Sequence, residues 1–168
     1  MTFYHREDGT VLDTVTLQAV APPAQCLGLD QEAEGGRLTG TMTVVADAGA
    51  SGGEAVAVPE RTGNDWSAGS ESGAVELCFA VPSAGTYRIE TTDIAPDQLS
   101  KSYWVYLDGA AAWLDDVEAT PTFAPHLVND RNGANPIEID LTPGDHTLVF
   151  ANREDGTTLD RVHLIQVP

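Results

Sequence analysis

The chain has 168 residues, of which 26 are acidic and 8 are basic, so its formal net charge is −18. Nucleic acids and anionic membrane surfaces attract proteins through positive charge, and this balance excludes both as partners. The hydrophobic share of 42% is that of a folded globular domain. No stretch approaches the ~20 apolar residues of a membrane-spanning helix. We therefore expect one folded domain of ordinary size with no membrane insertion.

The first patterned segment repeats the end of the chain. Residues 3–20 read FYHREDGTVLDTVTLQAV and residues 150–167 read FANREDGTTLDRVHLIQV, with 11 of 18 positions identical. Self-similarity at a fixed offset is typical of tandem modules. It predicts that residues 1–20 are the terminal strands of a preceding copy. Residues 21–25 are then a linker, because two successive prolines do not continue a central strand, and residues 26–168 form one complete module.

The module itself has the period-two alternation of strands. Apolar and polar residues alternate in six clear segments, at 75–81, 86–91, 103–107, 137–141, 146–151 and 159–167. Clusters of Gly, Pro, Asn, Asp and Ser separate them, and the best short-helix candidate is 110–118. About eight or nine short strands joined by such loops predict an all-β fold, an antiparallel β-sandwich of the jelly-roll type.

Two cysteines, Cys26 and Cys78, allow two interpretations. In an oxidising compartment they pair and stabilise the module by ~3–4 kcal/mol. In a reducing compartment they are two small buried hydrophobic residues. Two cysteines are too few for a four-ligand zinc site.

Three carboxylates occupy unfavourable positions in the alternation. Asp160 is in phase with the apolar residues Val162 and Leu164, and an unpaired buried carboxylate costs several kcal/mol. Glu32 and Glu34 share one face of an early strand, where like charges repel. Calcium, which binds six to eight oxygen ligands, resolves both conflicts. The alternative is that the glutamates face solvent while Asp160 pairs with Arg153 or Arg161.

Five segments in order resemble the carbohydrate-binding modules of families 6 and 35. They are QEAEGG, VPSAGTYRI, SYWVYLDG, LTPGDHTLVF and REDGTTLDRVHLI, and the resemblance covers about Gln31 to Val167. It implies a galactose-binding-like β-sandwich from a secreted protein. It also implies a structural calcium ion bound by Glu32, Glu34 and Asp160. Asp13 stands at the matching position of the preceding copy.

In modules of these families the ligand lies on loops at one end of the sandwich. An aromatic ring beside polar side chains suits a sugar, which has one relatively apolar face. The candidate ligand residues are Asn64, Trp66, Trp113, Asp115, Arg131, Asn132 and Asn135. The alternative is that each tryptophan packs within the module, as we expect for Trp104, and that the asparagines serve turns.

The sequence contains no catalytic motif, since its four histidines are scattered and no nucleophile elbow occurs. We therefore predict a non-enzymatic protein. The first hypothesis is a calcium-stabilised glycan-binding module of a secreted or cell-surface protein, present in tandem so that weak sites combine. The alternative is a structural repeat of an extracellular adhesin, stalk or fibre. Residues 3–20 are expected to add as strands to a sheet edge, either of their own module or of a neighbouring chain.

Overall fold

A computed structural model describes residues 26–110 and 113–168, which form thirteen strands and two short 3-10 turns. The predicted terminal strands 1–20 and linker 21–25 lie outside the described residues. The strands are β1 (Cys26–Leu27), β2 (Asp30–Glu32), β3 (Arg37–Gly40), β4 (Thr43–Ala46), β5 (Glu54–Ala57), β6 (Gly73–Val81), β7 (Gly85–Ile94), β8 (Ser102–Leu107), β9 (Trp113–Asp116), β10 (Ala124–Leu127), β11 (Ile139–Leu141), β12 (Gly144–Asn152) and β13 (Thr158–Gln166). The 3-10 turns are Ala33–Gly35 and Ser51–Gly53. No helix among the described residues is long and apolar enough to cross a membrane.

The strands form two sheets. The first has the order β1–β6–β12–β8–β9, with β3 also paired to β6. The second has the order β10–β7–β13–β5–β4, with β11 beside β7 and β2 beside β13. Every pairing is antiparallel except that of β1 with β6. The predicted antiparallel β-sandwich of the jelly-roll type is confirmed. Strands of two to four residues show too few alternations to be recognised, which explains why fewer strands were expected.

The core lies between the two sheets and is built by their inward-facing side chains. Tyr87 and Ile89 on β7 face Tyr103 on β8 and Phe150 on β12, and all four are buried. The rings of Tyr103 and Phe150 meet edge to face with centroids 6.0 Å apart, a favoured aromatic geometry. The period-two alternation of the sequence therefore corresponds to the inner and outer faces of the sandwich.

A disulfide joins Cys26 on β1 to Cys78 on β6, and so the first of the two interpretations of the cysteines holds. The bond fixes the start of the described chain to the first sheet across a sequence separation of 52 residues. A covalent loop of this size stabilises a fold by ~4 kcal/mol, chiefly by restricting the unfolded chain.

The predicted short helix at 110–118 is wrong for the part that the structure describes. Residues 113–116 form strand β9, which pairs with β8 through Trp113 opposite Val105 and Asp115 opposite Tyr103. Local preference for a helix is weak, and cross-strand pairing of inward-facing side chains overrides it here.

Four connections gather at one end of the sandwich, which we call the loop end. They link β5 to β6, β7 to β8, β9 to β10 and β12 to β13. Backbone hydrogen bonds tie them together, including Asp65 N to Arg153 O at 2.9 Å and Val117 N to Lys101 O at 2.8 Å. These connections carry the polar and aromatic residues considered next.

Candidate functional site

The longest connection at the loop end is held in place by side chains from the β12–β13 turn. Asn64 Oδ1 accepts a hydrogen bond from Asp155 N at 3.0 Å, and Gly63 N donates to Asp155 Oδ2 at 2.8 Å. Asp65 Oδ2 accepts hydrogen bonds from Ser72 and from Asn152. Burial alone would raise the pKa of Asp65, but these hydrogen bonds hold it below its ordinary value. These hydrogen bonds therefore hold the connection between β5 and β6 in one conformation.

The side chains of Trp66, Trp104 and Arg153 lie beside this connection, and we call them the loop-end platform. The Arg153 guanidinium carbon lies 4.8 Å from the ring centroid of Trp66 and 5.9 Å from that of Trp104. Trp104 Nε1 donates to Asp65 O at 2.8 Å, and this hydrogen bond fixes the Trp104 ring within the module. Such a packing role was expected for Trp104 from the sequence. Trp66 is 61% exposed. An arginine within about 6 Å of two aromatic rings stabilises their orientation through cation–π contact.

Charged side chains surround the platform. Arg153 Nη1 donates to Glu154 Oε1 at 2.8 Å, and Lys101 Nζ lies 3.9 Å from Asp116 Oδ1. Arg131 binds Asp116 with two nitrogens. The hydrogen bond from Arg131, followed by the charges of Arg131, Lys101 and Arg153, lowers the pKa of Asp116 despite its partial burial. Although the chain carries 18 net negative charges, basic residues accompany the acidic ones here.

The predicted ligand residues fall into two groups. Trp66 is exposed at the platform, and Arg131, Asn132 and Asn135 are exposed in the connection between β10 and β11. The remaining three predicted ligand residues have internal contacts. Asn64 closes its loop, Trp113 packs against the core, and Asp115 has none of its surface exposed.

The three misplaced carboxylates, which we call the carboxylate cluster, meet at the start of the second 3-10 turn. Ser51 Oγ donates to Glu32 Oε2 at 2.5 Å and lies 3.0 Å from Asp160 Oδ1. Ser51 N donates to Asp160 Oδ2 at 3.2 Å. Glu34 Oε1 lies 3.3 Å from the position that a Cβ at Gly52 would occupy. Strands β2 and β13, paired through Glu32 opposite Arg161, thus bring the predicted metal ligands to one place.

The electrostatics of this cluster fit a bound cation. Glu34 Oε2 is buried and has no hydrogen-bond partner. Burial raises the pKa of Glu34, and the charges of Glu32 and Asp160 raise it further. The two arginines that the alternative interpretation pairs with Asp160 hydrogen-bond to other carboxylates, Arg161 to Asp30 and Arg153 to Glu154. Among the described residues, no group of three or more His, Cys, Asp or Glu side chains has the arrangement of a formed metal site. The donor atoms are all oxygens, the type that calcium prefers.

A second set of polar groups lies deeper between the sheets, and sequence reasoning missed it as a set. We call Asp93, Tyr103, Asp115 and His126 the interior cluster. Asp93 on β7 is electrostatically coupled to Tyr103 and Asp115, which are opposite each other on β8 and β9. Three of their atoms are buried without a hydrogen-bond partner in the described residues: Asp93 Oδ1, Asp115 Oδ2 and Tyr103 Oη. Asp93 follows Tyr87, Ile89 and Thr91 in the inward-facing row of β7. The alternation in the sequence therefore predicts a buried carboxylate at Asp93, as it does at Asp160.

Two contacts partly neutralise the interior cluster. Asp115 Oδ1 binds His126 Nε2 at 2.9 Å and accepts a hydrogen bond from Asn129 N at 2.9 Å. Burial lowers the pKa of His126, but the hydrogen bond and charge of Asp115 outweigh it and raise the pKa. Asp93 accepts a hydrogen bond from Thr91 Oγ1, yet burial and the charge of Asp115 raise its pKa to about 7. Asp93 therefore binds a proton far more readily than an exposed aspartate.

Comparison with known proteins gives structural matches only. No protein-family model matches the chain. No curated protein matches it in sequence. A family 35 carbohydrate-binding module from Clostridium thermocellum is 20% identical with a TM-score of 0.62, and the match covers 81% of this chain and 97% of that one. One from Paenibacillus barcinonensis is 16% identical with a TM-score of 0.60, covering 83% and 100%.

The chain also matches a part of larger enzymes. An exo-β-1,3-galactanase from Phanerochaete chrysosporium, in complex with β-1,3-galactotriose, is 18% identical with a TM-score of 0.63. That match covers 82% of this chain and 29% of the enzyme, so this chain spans less than a third of its length. The chain thus has the fold of the family 35 carbohydrate-binding modules, as the resemblance implied.

Proposed function

We propose that this protein is a non-catalytic glycan-binding module of a secreted or cell-surface protein and that a bound calcium ion stabilises it. The observation that carries the proposal is the exposure of the Trp66 ring at the loop end. Trp66 is 61% exposed, and the flat apolar ring of an exposed tryptophan is suited to contact with a ligand. Here it is fixed by a hydrogen-bonded loop at the end of a fold shared with carbohydrate-binding modules.

The platform is suited to stacking on a sugar ring. Arg153 lies against one face of Trp66, so the ligand would take the opposite face. The apolar C–H face of a pyranose packs on such a ring, and hydroxyl groups are then bound by neighbouring polar side chains. Arg131, Asn132 and Asn135 provide exposed donors and acceptors in another loop, and Arg131 is electrostatically coupled to Glu154 beside the platform.

Calcium would have a structural role in this proposal. Glu32, Glu34 and Asp160 would hold the ion through carboxylate oxygens, with Ser51 between two of them. The ion would supply the positive charge that the three carboxylates lack. It would connect β2, the second 3-10 turn and β13, and so stabilise the second sheet without contacting the ligand.

The acidic residues near the loop end do not form a glycosidase pair. Asp115 and Asp116 are adjacent on β9, so their side chains point to opposite faces of the sheet. Asp115 is buried against His126, and Asp116 binds Arg131. Glycoside hydrolysis needs two carboxyl groups about 5–10 Å apart across the bond to be cleaved. Recognition without catalysis is the better interpretation.

The disulfide supports an extracellular location. Disulfides persist in secreted and cell-surface proteins and are rare in reducing compartments. The repeat in residues 3–20 supports presence in tandem copies. Tandem copies would raise the avidity of individually weak sites.

A glycan array tests the proposal. The panel would contain β-1,3-galactans, β-1,4-mannans and glucans, polymers of the sugars named for enzymes of which a part has this fold. We expect binding to one coherent class, and a Trp66→Ala loss of about 30-fold in affinity, because a stacked aromatic anchor contributes ~2 kcal/mol. Val44→Ala, an exposed apolar residue on β4, serves as the matched control and should leave the affinity unchanged. A folded protein that binds nothing on the panel contradicts the proposal.

A further inference from the structure

The connection between β10 and β11 carries the exposed group of predicted ligand residues, and hydrogen bonds determine its conformation. Asp130 is half-buried, and the side chains that follow it up to position 135 are exposed. With so little apolar packing, a loop keeps one conformation only if its backbone groups are bound. Asp130 N donates to Ala134 O at 2.8 Å within the loop. Arg131 N donates to Leu114 O at 2.8 Å and so attaches the loop to β9.

The side chain of Asn129 extends this attachment along the edge of β9. Asn129 Nδ2 donates to Asp116 O at 2.9 Å, and Asn129 Oδ1 accepts a hydrogen bond from Asp116 N at 3.3 Å. An amide side chain has both a donor and an acceptor, so it can pair with both backbone groups of a strand residue. Asn129 N donates to Asp115 Oδ1 at 2.9 Å. Asn129 is only 8% exposed, so a ligand at the surface would have little access to it.

Asn129 lies where the edges of the two sheets meet. Strand β9 ends the order of the first sheet, and β10 ends the order of the second. His126 on β10 and the backbone of Asn129 both bind the same oxygen of Asp115 on β9. The ligand-bearing connection begins directly after this junction. A loop that is fixed before binding loses less conformational freedom when a ligand arrives, and it therefore binds more tightly.

We propose that Asn129 is a positioning residue for glycan binding. Its side chain holds the connection 130–135 against β9, and it acts on the glycan through Arg131, Asn132 and Asn135 without contacting the sugar. The effect on affinity rests on the proposed function. The attachment of the connection to β9 can be measured without any glycan.

Asn129→Asp tests the role of the amide with almost no change of shape. A protonated carboxyl group has one donor and one acceptor and can make both hydrogen bonds to Asp116, whereas an ionised one can only accept. Burial and the charges of Asp115 and Asp116 oppose ionisation. We expect this variant to bind a glycan almost as tightly as the wild type near pH 4.5 and about tenfold more weakly than the wild type near pH 8.

Comparison with the wild type at each pH removes the effect of other titrations. The charged groups around this position are Asp115 and Asp116 on β9, His126 on β10, Asp130 and Arg131 in the connection, and, one contact further away, Asp93 and Lys101. These groups titrate in both proteins. Asn129→Ala makes neither hydrogen bond at any pH, so its affinity should be about tenfold below that of the wild type at both pH values.

Val81→Ala is the control for a general loss of stability. Val81 is buried at the end of β6 that lies opposite the loop end. Truncating it leaves a cavity and lowers the Tm, but the affinity for glycan should stay that of the wild type. A loss of affinity in the Asn129 variants that Val81→Ala does not share is then due to the position of the loop.

Two measurements are made on each protein. Affinity is measured in calcium for β-1,3-galactan, β-1,4-mannan and glucan, and amide hydrogen exchange is measured without glycan. Protection of Arg131 N should fall in Asn129→Ala at both pH values and in Asn129→Asp only near pH 8, since the ionised carboxylate no longer donates to Asp116 O.

The two readouts separate failure of this proposal from failure of the proposed function. The proposal is overturned if the protection of Arg131 N is unchanged in both variants. It is also overturned if protection falls while the affinity stays that of the wild type, or if Asn129→Asp binds as weakly near pH 4.5 as near pH 8. A wild type that binds none of the three polysaccharides contradicts the proposed function instead, and the exchange data alone then decide whether Asn129 holds the connection.

Discussion

The carboxylate cluster and the interior cluster present the same physical problem with different surroundings. Both place carboxylates where burial and like charge oppose ionisation. In the carboxylate cluster the neighbours are Ser51 and a buried, unpartnered oxygen of Glu34. In the interior cluster a histidine binds Asp115, and the pKa of Asp93 rises to about 7.

The difference indicates two ways of neutralising buried acids. The interior cluster contains a titratable base and a carboxyl group that binds a proton near neutral pH. The carboxylate cluster has three acids and no basic side chain that hydrogen-bonds to them among the described residues, because the nearby Arg161 binds Asp30, so an external cation is the available remedy. We therefore expect calcium to control the stability that depends on the carboxylate cluster and pH to control the stability that depends on the interior cluster.

The largest effect expected is that of calcium on the carboxylate cluster. A ligand at 100 times its Kd stabilises the native state by about 2.7 kcal/mol, which corresponds to a rise in Tm of about 5–10 °C. Calorimetry with calcium and with chelator should show this difference in the wild type. Asp160→Asn or Glu34→Gln should abolish most of it.

Asp145→Asn is the matched control for these variants, because Asp145 is an exposed carboxylate on β12 outside the cluster. It should retain the full calcium effect. In chelator, the wild type should also gain stability as the pH falls through the raised pKa of Glu34, since protonation then replaces the cation. Equal melting curves with and without calcium would contradict the account.

An intermediate effect is expected at Asp93. Its pKa is raised from 3.8 to about 7, so the folded state binds the proton more tightly than the unfolded state. The stability this gives is fully present below pH 3.8 and is lost as the pH rises to about 7. Asp93→Asn cannot ionise. Its Tm should match that of the wild type near pH 4 and exceed it by at least about 5 °C at pH 8.

This comparison is made in chelator, so that calcium does not alter the field of Asp160 on Asp93. Asp145→Asn again provides a control that changes one negative charge at the surface. If the difference in Tm between the wild type and Asp93→Asn is the same at pH 4 and pH 8, then Asp93 does not hold a proton in the folded state.

The smallest effect is expected at His126. Its pKa is raised because the hydrogen bond and charge of Asp115 outweigh the effect of burial. The stability that this pair contributes is therefore complete below the ordinary histidine pKa of 6.5 and is lost as the pH rises through the higher folded value. His126→Gln should lower the Tm by about 3 °C more at pH 5.5 than at pH 9. A larger loss at pH 9 would reverse the sign and refute the ion pair.

Period-two alternation predicted the fold because inward and outward faces differ along whole strands. The same pattern identified Glu32, Glu34 and Asp160, since a carboxylate in an apolar row is conspicuous. The structure brings them together around Ser51, a residue in a loop with no pattern of its own. Asp93 was equally visible in its row, but its partners Asp115 and His126 depend on the pairing of β8 with β9 and of β7 with β10.

The loop end was less predictable from sequence. Residues 110–118 resembled a helix because three alanines precede Trp113, but pairing with β8 makes residues 113–116 a strand. That strand turns Trp113 and Asp115 into the interior, away from a ligand. Asn64 closes its loop by accepting a hydrogen bond from Asp155, 91 residues away. Such long-range contacts between irregular segments leave no periodic signal in the sequence.

The most direct measurement is a calorimetric titration of calcium into chelator-stripped wild type, Asp160→Asn and Asp93→Asn. We expect one calcium ion per chain in the wild type, none in Asp160→Asn, and one with unchanged affinity in Asp93→Asn. Stoichiometric binding that survives Asp160→Asn, or that disappears in Asp93→Asn, would place the ion elsewhere and contradict the distinction between the two clusters.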